Sequence, residues 1–107
     1  MMKAEALTRQ GRSAEAKNLF NMIRAYAKAP ALDHNPSLEE IYEERGREFF
    51  DENWRRNDMI RFGHFEDEYG FHRRGFPTAR FDKEMRIFPI PQSVLNKNTN
   101  WKQNPGF

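Results

Sequence analysis

Glu48 and Glu52, which stand one helical turn apart, have the spacing in this sequence best suited to acid–base chemistry. On a helix, that spacing can hold two carboxyl groups about 5 to 6 Å apart, within the range used by glycoside hydrolases. Arg45 and Arg56 flank the pair at distances of three and four residues. Because each carboxylate then has a cation within reach, the pattern favours a structural ion network over a catalytic dyad. The sequence predicts no catalytic residue.

The charges of this region fall within an apolar stripe of a predicted helix, so their pairing matters. An isolated buried ion costs several kcal/mol, and a charge in a packed seam therefore needs a partner. Arg24 lies at the edge of the apolar stripe of an earlier predicted helix, from which it can reach Glu48 or Glu52 where the two helices pack. The predicted structural ion network consists of Arg24, Arg45, Glu48, Glu52 and Arg56. We expect loss of one carboxylate to leave a partly buried guanidinium without its partner.

A metal site is the next chemistry to weigh. His64 is followed by Glu66, Asp67 and Glu68, whose side chains are of types that metal ions accept. Their spacing matches no defined metal motif, and a solvated acidic loop is the favoured interpretation. The sequence contains no cysteine, which excludes disulfides and cysteine-based metal sites. We therefore predict neither a bound metal nor a cofactor.

Aromatic and basic side chains raise two binding alternatives. The run from His72 to Phe76 combines basic and aromatic groups of the kind that contact RNA. A formal net charge of +2, from 18 basic and 16 acidic residues, argues against a nucleic-acid partner. Trp54 stands four residues after Phe50, a spacing typical of packing, whereas Trp101 in a polar tail is the more open candidate for stacking on a sugar. No ligand-binding residue is assigned.

These side chains must be positioned by helices, and the longest is predicted at residues 37–63. Ser37 and Glu40 have the spacing of a capping box, which satisfies amides left unpaired in a first helical turn. Arginines crowd the far end, where the helix dipole favours cations, and Gly63 can adopt the left-handed conformation that ends a helix. The pattern therefore predicts one long helix with defined ends.

Residues 1–29 precede this helix and are predicted to form a helical hairpin. A short first helix ends at Gly11, and Ser13 is expected to cap a second helix. The apolar residues of this second helix recur at core spacing, at positions 16, 19, 20, 23 and 27. The small residues at the turn are similar to those of a tetratricopeptide hairpin.

Residues 64–107 follow and are predicted to form an irregular aromatic loop and an extended tail. Pro89 and Pro91 bias their neighbours away from helix, so the segment from Ile87 to Pro91 is expected to be extended. A short helical turn is expected from Gln92 to Leu95. The chain ends in Asn-Pro-Gly-Phe, a sequence that favours a turn.

Composition limits the chain to one domain at most. Its 107 residues are 37% hydrophobic with a mean hydropathy of −1.01, yet 14% are aromatic. This composition is too aromatic for ordinary disorder and poor in material for a core, and a chain of this size buries only about 60 to 65% of its unfolded surface. We therefore expect its apolar faces to meet further residues of a larger protein. The helices predicted above make the expected fold class all-α.

Three stretches, in this order, resemble the C-terminal part of SusD/RagB proteins. Residues 41–63 match the pattern I-x-x-E-R-x-x-E-F-x-x-E-x-x-R-x-x-D-[LM]-I-R-[FW]-G. Residues 89–95 are similar to P-I-P-x-x-E-L, with Val94 where glutamate is usual, and residues 103–107 are similar to Q-N-P-G-[YF]. The resemblance implies that residues 1–107 form a C-terminal segment of a SusD-like domain.

This resemblance also implies a role without catalysis. Family members hold oligosaccharide or another nutrient over a SusC-like TonB-dependent transporter at the surface of the cell outer membrane. They are exported lipoproteins anchored through an acylated N-terminal cysteine, which this sequence lacks. We expect membrane attachment only through an anchor absent from this chain, and oligosaccharide contacts from earlier parts of the protein. The alternative is a stand-alone helical adaptor or a basic RNA-binding module.

Overall fold

A computed structural model describes residues 1–68 and 83–107, and every regular element in these ranges is helical. This confirms the prediction of an all-α fold. The described residues divide into two compact units, residues 1–55 and residues 56–107. The basic and aromatic run at residues 72–76 and most of the predicted aromatic loop lie outside the described residues. The elements are α1 Met2–Arg9, α2 Ser13–Tyr26, α3 Leu38–Glu48, α4 Arg55–Phe62, α5 Phe65–Glu68, a 3₁₀ helix Lys83–Arg86 and α6 Gln92–Leu95.

The N-terminal unit, residues 1–55, is built on α1, which packs against both α2 and α3. Ala4 and Leu7 of α1 are buried together with Ala16 of α2, and Leu19 packs against them. The small alanine side chains let the two helices approach closely. The α3 helix contributes the buried Ile41 and Tyr42 to this unit, and α2 contributes the buried Phe20. The likeness of α1 and α2 to a tetratricopeptide hairpin stays a prediction.

At the junction between α1 and α2, the predicted end of α1 is confirmed but the predicted cap of α2 is not. Gly11 has a φ of +76° and ends α1 as predicted, with the Arg12 amide donating to the Leu7 carbonyl at 2.9 Å. The prediction that Ser13 caps α2 was wrong, since its side chain makes no capping hydrogen bond. Ser13 is already the first helical residue, and Arg12 occupies the capping position. A hydroxyl inside the first turn is not placed to accept from the amides ahead of it.

The prediction of one helix over residues 37–63 was wrong, because α3 ends at Glu48 and α4 begins at Arg55. Between them, Asp51 and Asn53 adopt left-handed conformations with φ of +64° and +62°. Asp and Asn visit this region more readily than other residues with side chains, and both are poor helix formers. The turn therefore replaces the middle of the predicted helix.

Both predicted ends of that region are nevertheless confirmed. The Ser37 hydroxyl accepts from the Glu40 amide at 3.1 Å, and the Ser37 amide donates to the Glu40 carboxylate at 2.8 Å. Gly63 has a φ of +86°, and the His64 amide donates to the Met59 carbonyl at 2.8 Å. Local capping chemistry therefore fixes where α3 begins and where α4 ends.

The C-terminal unit, residues 56–107, holds its non-helical segment through side-chain amides. The Ile90 amide donates to Gln103 Oε1 at 2.8 Å, and Gln103 Nε2 donates to the Ile90 carbonyl at 2.9 Å. Asn104 Nδ2 donates to the Phe88 carbonyl at 2.7 Å. The segment before α6 is free of helix, as its prolines predicted, and α6 itself was predicted as a helical turn. Gln103 and Asn104 thus supply the partners that a neighbouring strand would supply in a sheet.

Candidate functional site

Adjacent residues of α3 carry buried charges to two different helices. Successive residues of a helix point about 100° apart, so Glu44 and Arg45 face different neighbours. Glu44 pairs with Arg24 of α2, and Arg45 pairs with Glu5 of α1. We refer to Glu5, Arg24, Glu44 and Arg45 as the buried-charge cluster. All four belong to the N-terminal unit, and three of them lie among its buried polar residues.

The Glu44 carboxylate is the centre of the contact with α2. Its Oε2 accepts from Arg24 Nη1 at 2.9 Å and from Arg47 Nη2 at 2.6 Å. The Glu44 side chain is only 4% exposed, whereas Arg47 extends to the surface. Arg24 also donates to the Pro30 carbonyl in the segment after α2. One carboxylate therefore joins α3 to α2 through a charge-assisted hydrogen bond to Arg24, and such a bond is stronger than a neutral one.

The Arg45 guanidinium makes the corresponding contact with α1. Its side chain is 1% exposed, and Nη1 lies 3.7 Å from Glu5 Oε2, whose side chain is 6% exposed. Glu5 also accepts from Arg9 Nε at 2.9 Å. The Arg45 guanidinium stands over the Phe49 ring, 4.9 Å from its centroid. A cation at this distance from an aromatic face is attracted by the electrons of the ring.

The cluster is arranged for packing rather than for proton transfer. Each buried carboxylate faces a guanidinium, so neither is left free to exchange a proton with a substrate. Pairing offsets the cost of removing these charges from water but leaves little net gain. We expect this pairing to make the fit of α3 against α1 and α2 specific, because a misplaced helix would leave charges unpaired.

An open cavity of about 530 Å³ is found elsewhere in the N-terminal unit. Its polar walls include Arg55, whose guanidinium stacks 3.8 Å from the Tyr42 ring centroid and donates to the Tyr42 carbonyl at 3.3 Å. A β-carbon on Gly46 would stand 2.8 Å from this guanidinium, so glycine gives Arg55 its room. The lining residues are Glu43, Gly46, Arg47, Phe49, Phe50, Asp51, Asn53 and Arg55.

The model of the SusD family matches residues 1–107, the whole of this sequence. The chain belongs to the SusD family. It is 33% identical over 113 aligned positions to the starch-binding protein SusD of Bacteroides thetaiotaomicron, in a match that covers 100% of this chain and 20% of that protein. The chain thus spans about a fifth of the length of this curated relative. No solved structure matches the chain significantly.

The SusD-family pattern of residues 41–63 can now be interpreted physically. Glu44 and Arg45 are the first acidic and the first basic residue of the pattern, and both belong to the buried-charge cluster. Arg55 supplies the cation that stacks on Tyr42. Asp58 is 1% exposed and accepts from Arg61 Nη1 at 3.1 Å in the C-terminal unit. Several charges of the pattern are therefore packing residues.

The predicted ion network is corrected by this geometry. Arg24 and Arg45 do make ion pairs, but with Glu44 and Glu5 instead of Glu48 and Glu52. Glu48 and Glu52 are exposed, and their side chains form no hydrogen bond or ion pair with any residue in 1–68 or 83–107. Because α3 ends at Glu48, Glu52 does not continue the helical face on which the prediction depended.

The fifth residue of the predicted network, Arg56, has a different role within the C-terminal unit. Its Nη2 donates to the Met85 carbonyl at 2.7 Å and to the Arg86 carbonyl at 3.1 Å. The guanidinium also lies 4.2 Å from the Phe88 ring centroid and 5.4 Å from that of Phe65. Arg56 therefore holds backbone and aromatic groups of its own unit.

Sequence reasoning missed the two carboxylates that pair with these arginines. A signal for Glu44 existed, since it lies three residues from the buried Ile41 and one turn from the end of α3. Glu5 carried a weaker signal, as an acid between the buried Ala4 and Leu7 on a short helix. Only the packing of α1 against α3 brings Glu5 to Arg45.

The remaining candidates are placed as follows. Trp54 is partly exposed and packs with Phe49 at a ring-centroid distance of 6.4 Å, whereas Phe50 is 83% exposed. Trp101 is exposed, as expected for the tail.

Glu66, one of the acidic residues considered as metal ligands, binds Arg86 at 2.8 Å, and this hydrogen bond lowers the pKa of the Glu66 carboxyl. Among the described residues, no group of three or more suitable side chains is arranged to hold a metal ion.

Proposed function

We propose that this chain is a scaffold segment of a SusD-family glycan-binding protein and that it has no catalytic role. The support is the match of the entire chain to a protein named as starch-binding, together with family membership over all 107 residues. In this proposal the intact protein presents oligosaccharide to a SusC-like TonB-dependent transporter. Its location is the surface of the outer membrane, to which a lipid anchor attaches it.

The scaffold assignment depends on where the buried charged side chains of α3 point. Glu44 and Arg45 turn inward to helices of their own unit. Sugar capture requires aromatic faces and polar groups that converge on one preformed site. Here the exposed Phe50 and Trp101 belong to different units, and Arg55 at the open cavity is stacked on Tyr42. We infer that residues outside this chain make the principal glycan contacts.

Within the described residues, no helix is both long enough and apolar enough to cross a bilayer. The proposal assigns membrane association to the anchor and to the transporter partner. A transporter gene next to the coding sequence of this chain would support the pairing. Copurification of the longer protein with that transporter, after mild detergent extraction, tests the partnership directly.

Isothermal titration tests the assignment of the binding surface. A panel of plant, host and microbial oligosaccharides is titrated into the 107-residue chain and into the longer protein that contains it. We expect saturable binding by the longer protein and none tighter than about 1 mM by the chain, a limit that corresponds to roughly −4 kcal/mol. Trp101→Ala in the chain is the control. Binding by the chain that this substitution abolishes would place the glycan surface in the tail and contradict the scaffold assignment.

A further inference from the structure

His34 lies between two carboxylates in the segment that connects α2 to α3. Its Nδ1 is 2.8 Å from Asp33 Oδ1, and its Nε2 is 2.6 Å from Glu40 Oε1. The ring is 54% exposed. A neutral imidazole carries one N–H and can donate only one hydrogen bond, whereas an imidazolium donates two. Only the protonated ring can therefore donate to both carboxylates at once.

One of the two carboxylates also organises the start of α3. Glu40 Oε2 accepts from the Ser37 amide at 2.8 Å and from the Ser37 hydroxyl at 2.9 Å. Its other oxygen, Oε1, is the atom that contacts His34. The same carboxylate thus serves the capping box and the imidazole. A change in the charge of His34 acts on the group that fixes the first turn of α3.

The segment that bears His34 is fixed to α2 by three hydrogen bonds to its backbone. Asn21 Nδ2 donates to the Leu32 carbonyl at 3.0 Å, and the Leu32 amide donates to Asn21 Oδ1 at 2.8 Å. Lys17 Nζ donates to the Asp33 carbonyl at 2.6 Å. With its α2 side fixed in this way, the segment has its protonatable contact on the α3 side.

We propose that His34 is a proton-dependent clasp between the α2–α3 segment and the capping box of α3. In its protonated state it bridges Asp33 and Glu40, and loss of the proton releases one of these two hydrogen bonds. The charged groups that face the cluster are Asp33 from the segment, Glu40 from α3 and Lys17 from α2. The clasp regulates how firmly the start of α3 is held, and it is independent of the proposed glycan role.

The electrostatics of the cluster give the direction of the pH dependence. Hydrogen bonds to Asp33 and then to Glu40 raise the pKa of His34. The pKa of Asp33 is lowered chiefly by His34, and that of Glu40 chiefly by the Ser37 amide. The His34 contribution is therefore complete below the pKa of an unfolded histidine and is lost as pH rises through the folded pKa. The carboxylate contributions are lost in the opposite direction, as pH falls through their lowered pKa values.

The clasp is thus strongest in mildly acidic solution, above the range in which the carboxylates are protonated and below the range in which His34 loses its proton. The first test is an NMR titration of the imidazole ¹⁵N and ¹H signals in the full chain. We expect His34 to titrate at a higher pH in the folded chain than in the same chain unfolded in urea. Asp33→Asn should lower its midpoint. Equal midpoints in folded and urea-unfolded chains would overturn the proposal.

The second test follows urea unfolding at about pH 5.5 and about pH 8.5, on either side of the ordinary histidine range. We expect the wild-type midpoint to be higher at the lower pH and His34→Gln to reduce this difference. His64→Gln is the matched control, since it removes a histidine outside the cluster, and we expect it to reduce the difference less than His34→Gln does. A full wild-type difference in His34→Gln would contradict the clasp. The NMR arm still decides if any variant unfolds without a clear transition.

Discussion

The two units of this chain are stabilised by different kinds of contact. In the N-terminal unit, apolar side chains and paired charges are buried between regular helices. In the described part of the C-terminal unit, Met59 and Phe65 are the buried apolar residues, and side-chain amides from Gln103 and Asn104 hold an extended segment. The difference teaches that a segment without helix or sheet still needs partners for its backbone, and that its own tail can supply them.

Arginine shows the contrast in a single residue type. Arg45 is fully buried and faces the carboxylate of Glu5, so its loss would leave an opposite charge inside the N-terminal unit. Arg56 donates to the Met85 and Arg86 carbonyls and covers the exposed ring of Phe88. Its loss would leave neutral carbonyls rather than an opposite charge. The penalty for disruption should therefore be larger in the N-terminal unit.

The largest expected effect is that of Glu5→Gln, which removes the carboxylate facing Arg45. Breaking a buried ion pair by removing one partner costs about 3 to 5 kcal/mol, because the remaining charge keeps its desolvation cost and loses the attraction of that partner. Since both side chains are almost fully buried, we expect a loss of this size in the free energy of unfolding. Urea unfolding followed by helical circular dichroism measures it.

Glu48→Gln and Glu52→Gln are the matched controls for this substitution. Both glutamates are exposed, and we expect changes within a few tenths of a kcal/mol, as for most surface substitutions. A loss for either control as large as that of Glu5→Gln would contradict the assignment of the buried charges. It would return Glu48 and Glu52 to the ion network predicted from the sequence.

A smaller effect is expected in the C-terminal unit from Gln103→Ala. This change removes both hydrogen bonds to Ile90, each worth about 0.5 to 1.5 kcal/mol net, for a total of roughly 1 to 3 kcal/mol. Amide hydrogen exchange at Ile90 is the appropriate measurement, because the substitution acts on that backbone. We expect exchange to accelerate by about one order of magnitude, since every 1.4 kcal/mol is a factor of ten.

Gln103→Glu separates the two hydrogen bonds. The carboxylate still accepts from the Ile90 amide but can no longer donate to the Ile90 carbonyl. We expect an exchange rate at Ile90 between those of the wild type and Gln103→Ala. Unchanged exchange in both variants would show that Gln103 does not hold the extended segment.

The elements whose ends depend on local chemistry were predictable from the sequence. The capping box of Ser37 and Glu40 and the left-handed Gly11 and Gly63 are found where their residue types predicted them. The break after α3 was missed because the apolar periodicity of residues 37–63 continues through it. The left-handed conformations of Asp51 and Asn53 interrupt the helix. The preference of Asp and Asn for this conformation is too small to reveal such a break from the sequence alone.

The buried charges were predictable in kind but not in partner. Arg24 and Arg45 were identified as charges within packed faces, and both do form ion pairs. Their carboxylates were assigned by spacing along one long helix, which the turn after Glu48 removes. Glu5 lies 40 residues before Arg45 in the sequence, so that only tertiary packing brings the two together. Pairing within one helix can be read from spacing, whereas pairing between helices requires their arrangement.

The smallest expected effect concerns backbone conformation and sharpens the comparison between the units. Lys28 follows α2 with a φ of +56°, and the amides of Lys28 and Ala29 donate to the Ala25 and Arg24 carbonyls at 3.1 and 2.8 Å. These two bonds define a Schellman motif, whose left-handed residue is usually glycine. The left-handed conformation costs a residue with a side chain roughly 1 to 2 kcal/mol. Replacement by glycine also raises the entropy of the unfolded chain, at a cost of roughly 0.4 to 1 kcal/mol.

We therefore expect Lys28→Gly to raise the free energy of unfolding by about 0.5 to 1 kcal/mol, the remainder of these two terms. Lys28→Ala keeps a β-carbon at positive φ and should give no such gain. The described C-terminal unit offers no equivalent improvement, because its positive-φ residues, Gly63 and Gly106, are already glycines. Gly106→Ala should destabilise that unit, since its β-carbon would collide with Glu84. Thermal melts of the three variants make the comparison, and an equal gain from Lys28→Ala would show that strain at Lys28 is not the cause.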